Sequence, residues 1–150
     1  MPLAFRHCVL DKLNSLLRVE LAAVAGYQKA LRTLREKAVS DSDHILQLAS
    51  DHQRTVTALQ GSVHARGGAP LVAASAWEGC EAAALTNGDA LESKEFVGAL
   101  LAVERHGLAQ YEAALSILDE DARELVELEL IPRQRRHVTR LSEMLEKLAA

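Results

Sequence analysis

The chain has 150 residues, of which 49% are apolar and 3% aromatic, and its formal net charge is −4. This length suits one domain with its own hydrophobic core, and an Ala- and Leu-rich composition favours helices over a β-sandwich or barrel. The slightly acidic balance lacks the basic footprint of a nucleic-acid-binding protein, so we expect no nucleic-acid partner.

Several features bear on where the protein works. No apolar run approaches the roughly 18 residues that a membrane span needs, and the first residues lack the apolar core of a signal peptide. Cys8 and Cys80 lie in unrelated contexts and form no CxxC pattern. Such separated thiols are typical of small apolar side chains in a reducing compartment. The sequence therefore predicts a cytoplasmic, bacterial protein that does not enter the membrane.

Apolar residues recur at steps of three and four along the first half of the chain, which predicts two core-facing helices. The first spans about 5–38, and a cluster of Ser and Asp residues then precedes a second helix over about 43–66. So short a connection makes the two helices antiparallel neighbours. Gly67 and Gly68, followed by Pro70, predict the end of the second helix.

The second half predicts another pair of helices, over about 90–118 and 120–148, after a crossover at 67–89. A short helix is expected within the crossover at 76–85, with Trp77 covering the flank of the bundle. Asp119 is the expected N-cap of the fourth helix. Pro132 lies inside that helix and cannot donate to the carbonyl of Leu128, so we predict a kink shortly before His137.

The first and third helices share a duplicated segment. Residues 17–31 read LRVELAAVAGYQKAL and residues 101–115 read LAVERHGLAQYEAAL, with Glu20 aligned to Glu104 and Tyr27 to Tyr111. The second and fourth helices align as well, RTVTAL at 54–59 with RHVTRL at 136–141. The chain is thus predicted to be one helical hairpin repeated, with its halves related by a two-fold axis across the bundle.

Five polar side chains interrupt the apolar stripes at about mid-bundle: Glu20, His52, Glu104, Gln134 and His137. A buried carboxylate without a partner costs several kcal/mol, so a pair of them requires a compensating group. A metal ion held by carboxylates and imidazoles, a layer of ion pairs with protonated histidines, and two glutamates sharing one proton would each supply it. The two tyrosines each lie seven residues, about 10 Å, from the glutamate of their own helix, and we expect them to pack in the core with their hydroxyls bonded nearby.

In these features the chain resembles the ferritin-like superfamily, whose di-iron members carry a Glu on each of two helices and Glu-x-x-His on each of the other two. The resemblance implies an all-α, ferritin-like four-helix bundle over residues 1–150. It aligns Glu20 and Glu104 with the single glutamates and His137 with the histidine of the fourth helix. His52 takes the place of the glutamate on the second helix.

The fourth-helix motif here reads Gln-Arg-Arg-His, with Gln134 in place of the glutamate, and the second-helix motif ends in Thr55 in place of the histidine. Two of the four carboxylates are therefore present, which argues against a dinuclear oxidase or an iron store. Asp51 precedes His52 but lies about 100° away around the helix, so it is not expected to replace a missing ligand.

The chain is also similar to an uncharacterised bacterial ferritin-like family. The similarity lies in Leu13-Asn14, Gly26-Tyr27, the segment from Tyr111 to Leu115, and His137. Two functions follow as expectations. One is binding of a single Fe or Mn ion by Glu20, Glu104, His137 and His52, with a redox or stress role by analogy. The other is a non-catalytic bundle whose polar layer is free of metal. By the same resemblance we expect a homodimer.

Overall fold

A computed structural model describes residues 1–36, 42–73 and 93–149. Within these ranges the chain is helical without strands, and we name four elements: α1 (Leu3–Glu36), α2 (Ser42–Ala65), α3 (Ser93–Ala114) and α4, which begins at Glu120 and ends at Ala149. The all-α prediction is confirmed, and each helix begins and ends within a few residues of its predicted bounds. The helix expected at 76–85, with Trp77 and Cys80, lies outside the described residues.

The sequence predicted that no helix crosses a membrane. None of the described helices is both long enough and apolar enough to cross a bilayer.

The end of α2 follows the glycine signal in the sequence. Gly67 has a φ of 72°, in the left-handed region that favours glycine. Its N–H donates to the carbonyl of His64 at 2.9 Å, and the N–H of Gly68 donates to the carbonyl of Val63 at 3.1 Å. These bonds occupy carbonyls that the helix itself leaves without a partner, so the predicted stop is confirmed.

Asp119 joins the start of α4 to the end of α2. Its carboxylate accepts the backbone N–H of Ala122 at 3.0 Å, which makes it the expected N-cap. The same carboxylate accepts Nε–H of Arg66 at 2.7 Å. One side chain therefore begins α4 and also fixes it to the preceding hairpin.

The helix α4 is not uniform. It is α-helical over Glu120–Leu125, π-helical over Val126–Leu130 and α-helical again over Ile131–Ala149. The π-helical segment lies just before Pro132, which lacks the N–H of a regular helix, and it comes earlier in the chain than the kink predicted shortly before His137. Gln134 and His137 follow in the first two turns of the restored α-helix.

The hydrophobic core forms two clusters along the bundle. One includes Leu13 and Leu17 of α1 and Val126 and Leu130 of α4. The other lies towards the opposite end and includes residues from all four helices: Leu31, Ile45, Leu48, Leu100 and Leu141. In every helix the polar residues singled out from the sequence fall between the segments that supply the two clusters. The polar layer therefore lies at mid-bundle, as predicted.

Two apolar side chains near the ends of the described helices are at the surface. Leu148 is 38% exposed, because it lies in the last turn of α4, beyond the buried Leu141. Cys8 is exposed as well. It precedes the buried Val9 and lies about 100° around the helix from it, so the α1 stripe turns away from the thiol.

Candidate metal centre

Two glutamates lie at the centre of the bundle, one from each half of the chain. Glu20 on α1 is 2% exposed and Glu104 on α3 is fully buried. Both occupy stripe positions between apolar residues, so helix geometry alone turns them inward. The burial predicted for this pair is confirmed.

His52 of α2 bridges the two carboxylates. Its Nδ1 lies 2.6 Å from Oε2 of Glu20, and its Nε2 lies 2.6 Å from Oε1 of Glu104. An ionised carboxylate can only accept a hydrogen bond, so an imidazole held by two of them carries a proton on each nitrogen. Two of the predicted site residues are thus joined through a third.

The charge on this bridge follows from its surroundings. Burial lowers the pKa of His52, but the adjacent carboxylates of Glu20 and Glu104 outweigh it and raise that pKa well above the usual value. Burial likewise works against ionisation of Glu104, whereas the neighbouring His52, the largest opposing influence, lowers the pKa of its carboxyl well below the usual range. The buried layer therefore contains an imidazolium between two carboxylates.

The two tyrosines cross between the halves. The Tyr27 hydroxyl donates to Oε1 of Glu104, and the Tyr111 hydroxyl donates to Oε1 of Glu20 at 2.5 Å. A later residue of α1 thus meets an earlier residue of α3, which shows that the two helices run antiparallel. Burial, and then the nearby glutamate, raise the pKa of each phenol well above its usual value, so both hydroxyls stay neutral donors.

Gln134 of α4 holds Glu104 from a further side. Its Nε2 donates to Oε2 of that glutamate and, at 2.9 Å, to the backbone carbonyl of the same residue. Gly107 makes this approach possible, since a Cβ there would lie 2.8 Å from Nε2 of Gln134. Gln134 is therefore a hydrogen-bond donor to the carboxylate.

The two ring nitrogens of His137 point in different directions, one into the polar layer and the other towards Asp51. Its Nε2 lies 3.0 Å from Oδ2 of Asp51, and its Nδ1 lies 3.4 Å from Oε2 of Glu104. Nδ1 is buried and has no hydrogen-bond partner. Buried polar atoms are nearly always paired, and a cation or a proton held between Nδ1 and Oε2 of Glu104 would supply the partner.

Asp51 is the residue that the sequence argument set aside. It does lie away from the two glutamates, as helix geometry requires, but its carboxylate contacts His137 across the space between α2 and α4. Burial raises the pKa of Asp51, but the hydrogen bonds from His137 and Gln47 and the nearby positive charge together outweigh it, so the carboxyl pKa is lowered overall. The contact between Asp51 and His137 could be inferred only once the partner helix was known.

A second contact between α2 and α4 lies beside this one. Nη1 of Arg133 donates to Oγ1 of Thr55 at 2.9 Å. In the alignment of the two halves, Arg133 corresponds to Asp51 and Thr55 to His137. Corresponding positions are therefore paired on both sides, but one pair contains imidazole and carboxylate, whereas the other contains neither.

The ligand atoms for a cation are present on one side of the layer. His52, Glu104 and His137 each offer one atom, and these atoms lie within 4.8 Å of one another among buried side chains. Imidazole nitrogen with carboxylate oxygen suits Fe, Mn or Zn. Glu20 reaches this group only through His52. Three of the four ligands predicted from the sequence therefore lie together, whereas the fourth, Glu20, contacts only His52 among them.

The crossed tyrosines and Asp51 were missed as partners of the layer. The sequence held a signal for the tyrosines, because each follows its glutamate by seven residues in two copies predicted to be antiparallel. Under that arrangement a contact of Tyr27 with Glu104 implies the equivalent contact of Tyr111 with Glu20. No comparable signal pointed to Asp51.

Comparisons with known proteins do not assign the chain to a family: no family model matches it, and neither does any curated protein.

Proposed function

We propose that the polar layer binds one divalent transition-metal ion, Fe or Mn, through Glu104, His137 and His52, with Glu20 completing the charge balance. The observation that carries the proposal is the Nδ1 atom of His137, which is buried, has no hydrogen-bond partner and lies 3.4 Å from Oε2 of Glu104. A cation between these two atoms would satisfy both of them at once.

The donor set fits such an ion chemically. Two imidazoles and a carboxylate, backed by a second carboxylate, give the mixture of nitrogen and oxygen ligands that Fe and Mn accept. The surrounding residues would hold Glu104 in place, since its Oε1 accepts from Tyr27 and its backbone carbonyl from Gln134. A bound ion of this kind supplies Lewis acidity or a redox couple. The resemblance to ferritin-like proteins extends the proposal to a redox or stress role.

One ion, rather than two, is favoured by the difference between the two sides of the layer. A second position related by the repeat would need ligands from Glu20, Gln134 and Thr55, and of these only Glu20 supplies a carboxylate or an imidazole. Arg133 also brings a positive charge to that side. The layer therefore offers a complete donor group on one side only.

The experiment is a metal titration of chelator-treated protein. Mn(II) is added and the free ion is measured by electron paramagnetic resonance, with parallel anaerobic titrations of Fe(II) and a Zn(II) competitor. We expect one equivalent of Mn(II) in the wild type and none in Glu104→Gln. Glu112→Gln is the matched control, because Glu112 lies on the same helix with its side chain 48% exposed, and it should bind like the wild type. No uptake by the wild type, or equal uptake by Glu104→Gln, would refute the proposal.

A specific observation supports a second candidate, a bundle whose layer works without metal. Both nitrogens of His52 are already held at 2.6 Å by carboxylates, so a metal must displace a proton from Nε2. Metal binding should then release protons and strengthen as the pH rises. If the titration shows no uptake at any pH where the fold persists, the layer is a buried ion-pair network that sets the register of the helices.

A further inference from the structure

Asp51 and His137 form a pair that joins the edge of the layer to its interior. The Asp51 side chain is 18% exposed, and the His137 side chain is 4% exposed. Oδ2 of Asp51 lies 3.0 Å from Nε2 of His137, while Oδ1 accepts a hydrogen bond from Nε2 of Gln47 at 3.3 Å. The carboxylate is thus held from its own helix while it contacts the imidazole of α4.

This contact determines which nitrogen of His137 carries the proton. A carboxylate oxygen only accepts, so the hydrogen of the pair belongs to Nε2. In its neutral form the imidazole has one N–H, and Nδ1 then presents a lone pair. Nδ1 is buried and faces Oε2 of Glu104, so a second proton or a cation would be held between these two atoms.

We propose that Asp51 is a positioning residue, which holds His137 in the Nε2–H tautomer and so keeps Nδ1 free as a ligand atom towards Glu104. The inference rests on the proposed metal function, since a free Nδ1 is useful only to an ion. Carboxylate partners of this kind orient ligand histidines and increase their basicity, and their loss typically weakens metal binding 10- to 100-fold.

The corresponding pair on the other side of the layer supports this assignment. Where α4 carries Arg133 in the position of Asp51, α2 carries Thr55 in the position of His137, and the arginine donates to the hydroxyl. The side that lacks the ligand imidazole also lacks the carboxylate that would orient it. Carboxylate and imidazole are therefore present together on one side and absent together on the other.

The first measurement concerns the tautomer in metal-free protein. Long-range ¹H–¹⁵N spectra of histidine-labelled protein at neutral pH distinguish the two neutral tautomers from imidazolium, and a His137→Gln variant assigns the signals. We expect the Nε2–H tautomer in the wild type and its loss in Asp51→Ala. Asp51→Asn retains an acceptor oxygen and should keep the tautomer in part. A wild-type His137 that is imidazolium or Nδ1–H overturns the inference.

The second measurement is Mn(II) affinity in the same variants. Asp51→Ala should bind about 10- to 100-fold more weakly than the wild type, with Asp51→Asn between them. Gln53→Ala, an exposed neighbour on the same helix, should bind unchanged. Equal affinity in Asp51→Ala and wild type overturns the positioning role and leaves the metal site standing.

Failure of the metal proposal gives a different pattern. The wild type then takes up no Mn(II), whereas the spectra still show whether Asp51 sets the tautomer of His137. If Asp51→Ala does not fold, the wild-type spectrum and the Asp51→Asn variant decide the question.

Discussion

The strongest test of the layer as a charged unit is His52→Ala. This imidazole contacts both buried carboxylates at 2.6 Å. Its truncation leaves Glu20 and Glu104 buried without the cation between them. Removing one member of a buried ion pair typically costs about 3–5 kcal/mol. For a chain of this length, in which 1 kcal/mol shifts the melting temperature by about 2–4 °C, we expect a fall of roughly 6–20 °C.

The assay is urea unfolding of chelator-treated protein, followed by circular dichroism, with calorimetry for the melting temperature. His106→Ala removes an exposed histidine from α3 and should change the free energy of unfolding by less than about 0.5 kcal/mol. This control separates loss of the bridging imidazole from loss of any histidine.

A double-mutant cycle separates charge from size. In the variant Glu20→Gln with Glu104→Gln, a neutral His52 can donate to one glutamine and accept from the other, so we expect this variant to fold. Adding His52→Ala should then cost well under the 3–5 kcal/mol expected in the wild type, because no buried charge is stranded. If the substitution costs the same in both backgrounds, electrostatics is not the reason for the loss, and the ionised layer is refuted.

Three further predictions concern the surroundings of the layer. Asp119→Ala removes an N-cap and the ion pair with Arg66 and should cost about 2–3 kcal/mol at pH 7 by urea unfolding. Because Arg66 lowers the pKa of Asp119, this contribution is present above the unfolded pKa of about 3.9 and is lost as the pH falls through the folded pKa. The difference from wild type should therefore shrink by pH 3, and a constant difference would contradict the assignment. Tyr111→Phe deletes a hydroxyl donated to a buried carboxylate and should cost about 1.5–3 kcal/mol, and an unchanged unfolding midpoint would count against that bond. Gly107→Ala should weaken Mn(II) binding and destabilise the fold, since its Cβ would lie 2.8 Å from Nε2 of Gln134. Gly98→Ala in the same helix has open space and should stabilise the fold by up to about 1 kcal/mol. Equal effects of the two substitutions would refute the close approach at Gly107.

Much of the fold follows from local patterns. The spacing of apolar residues located the helices, and the glycine and aspartate signals at Gly67 and Asp119 located two of their ends. The same spacing showed that Glu20, His52, Glu104 and His137 turn inward, because a helix of 3.6 residues per turn leaves no other orientation for a stripe position. The exposure of Cys8 and Leu148 does not follow from this spacing, because burial at the end of a bundle depends on what covers it.

The partners inside the layer depended on the arrangement of the helices. Tyr27 contacts Glu104 rather than the glutamate of its own helix, since the antiparallel packing of α1 and α3 brings distant residues level with one another. Asp51 reaches His137 because α2 and α4 face each other at that height. Neither distance is set by residues near in the chain.

The sequence by itself thus determined which side chains share the dry interior of this protein, because helical periodicity is a local property. Only the tertiary structure decided that His52 joins the two glutamates and that His137 presents an unpaired nitrogen to Glu104. Hydrogen-bond partners are selected at distances of a few ångströms, and the packing of one helix against another sets those distances.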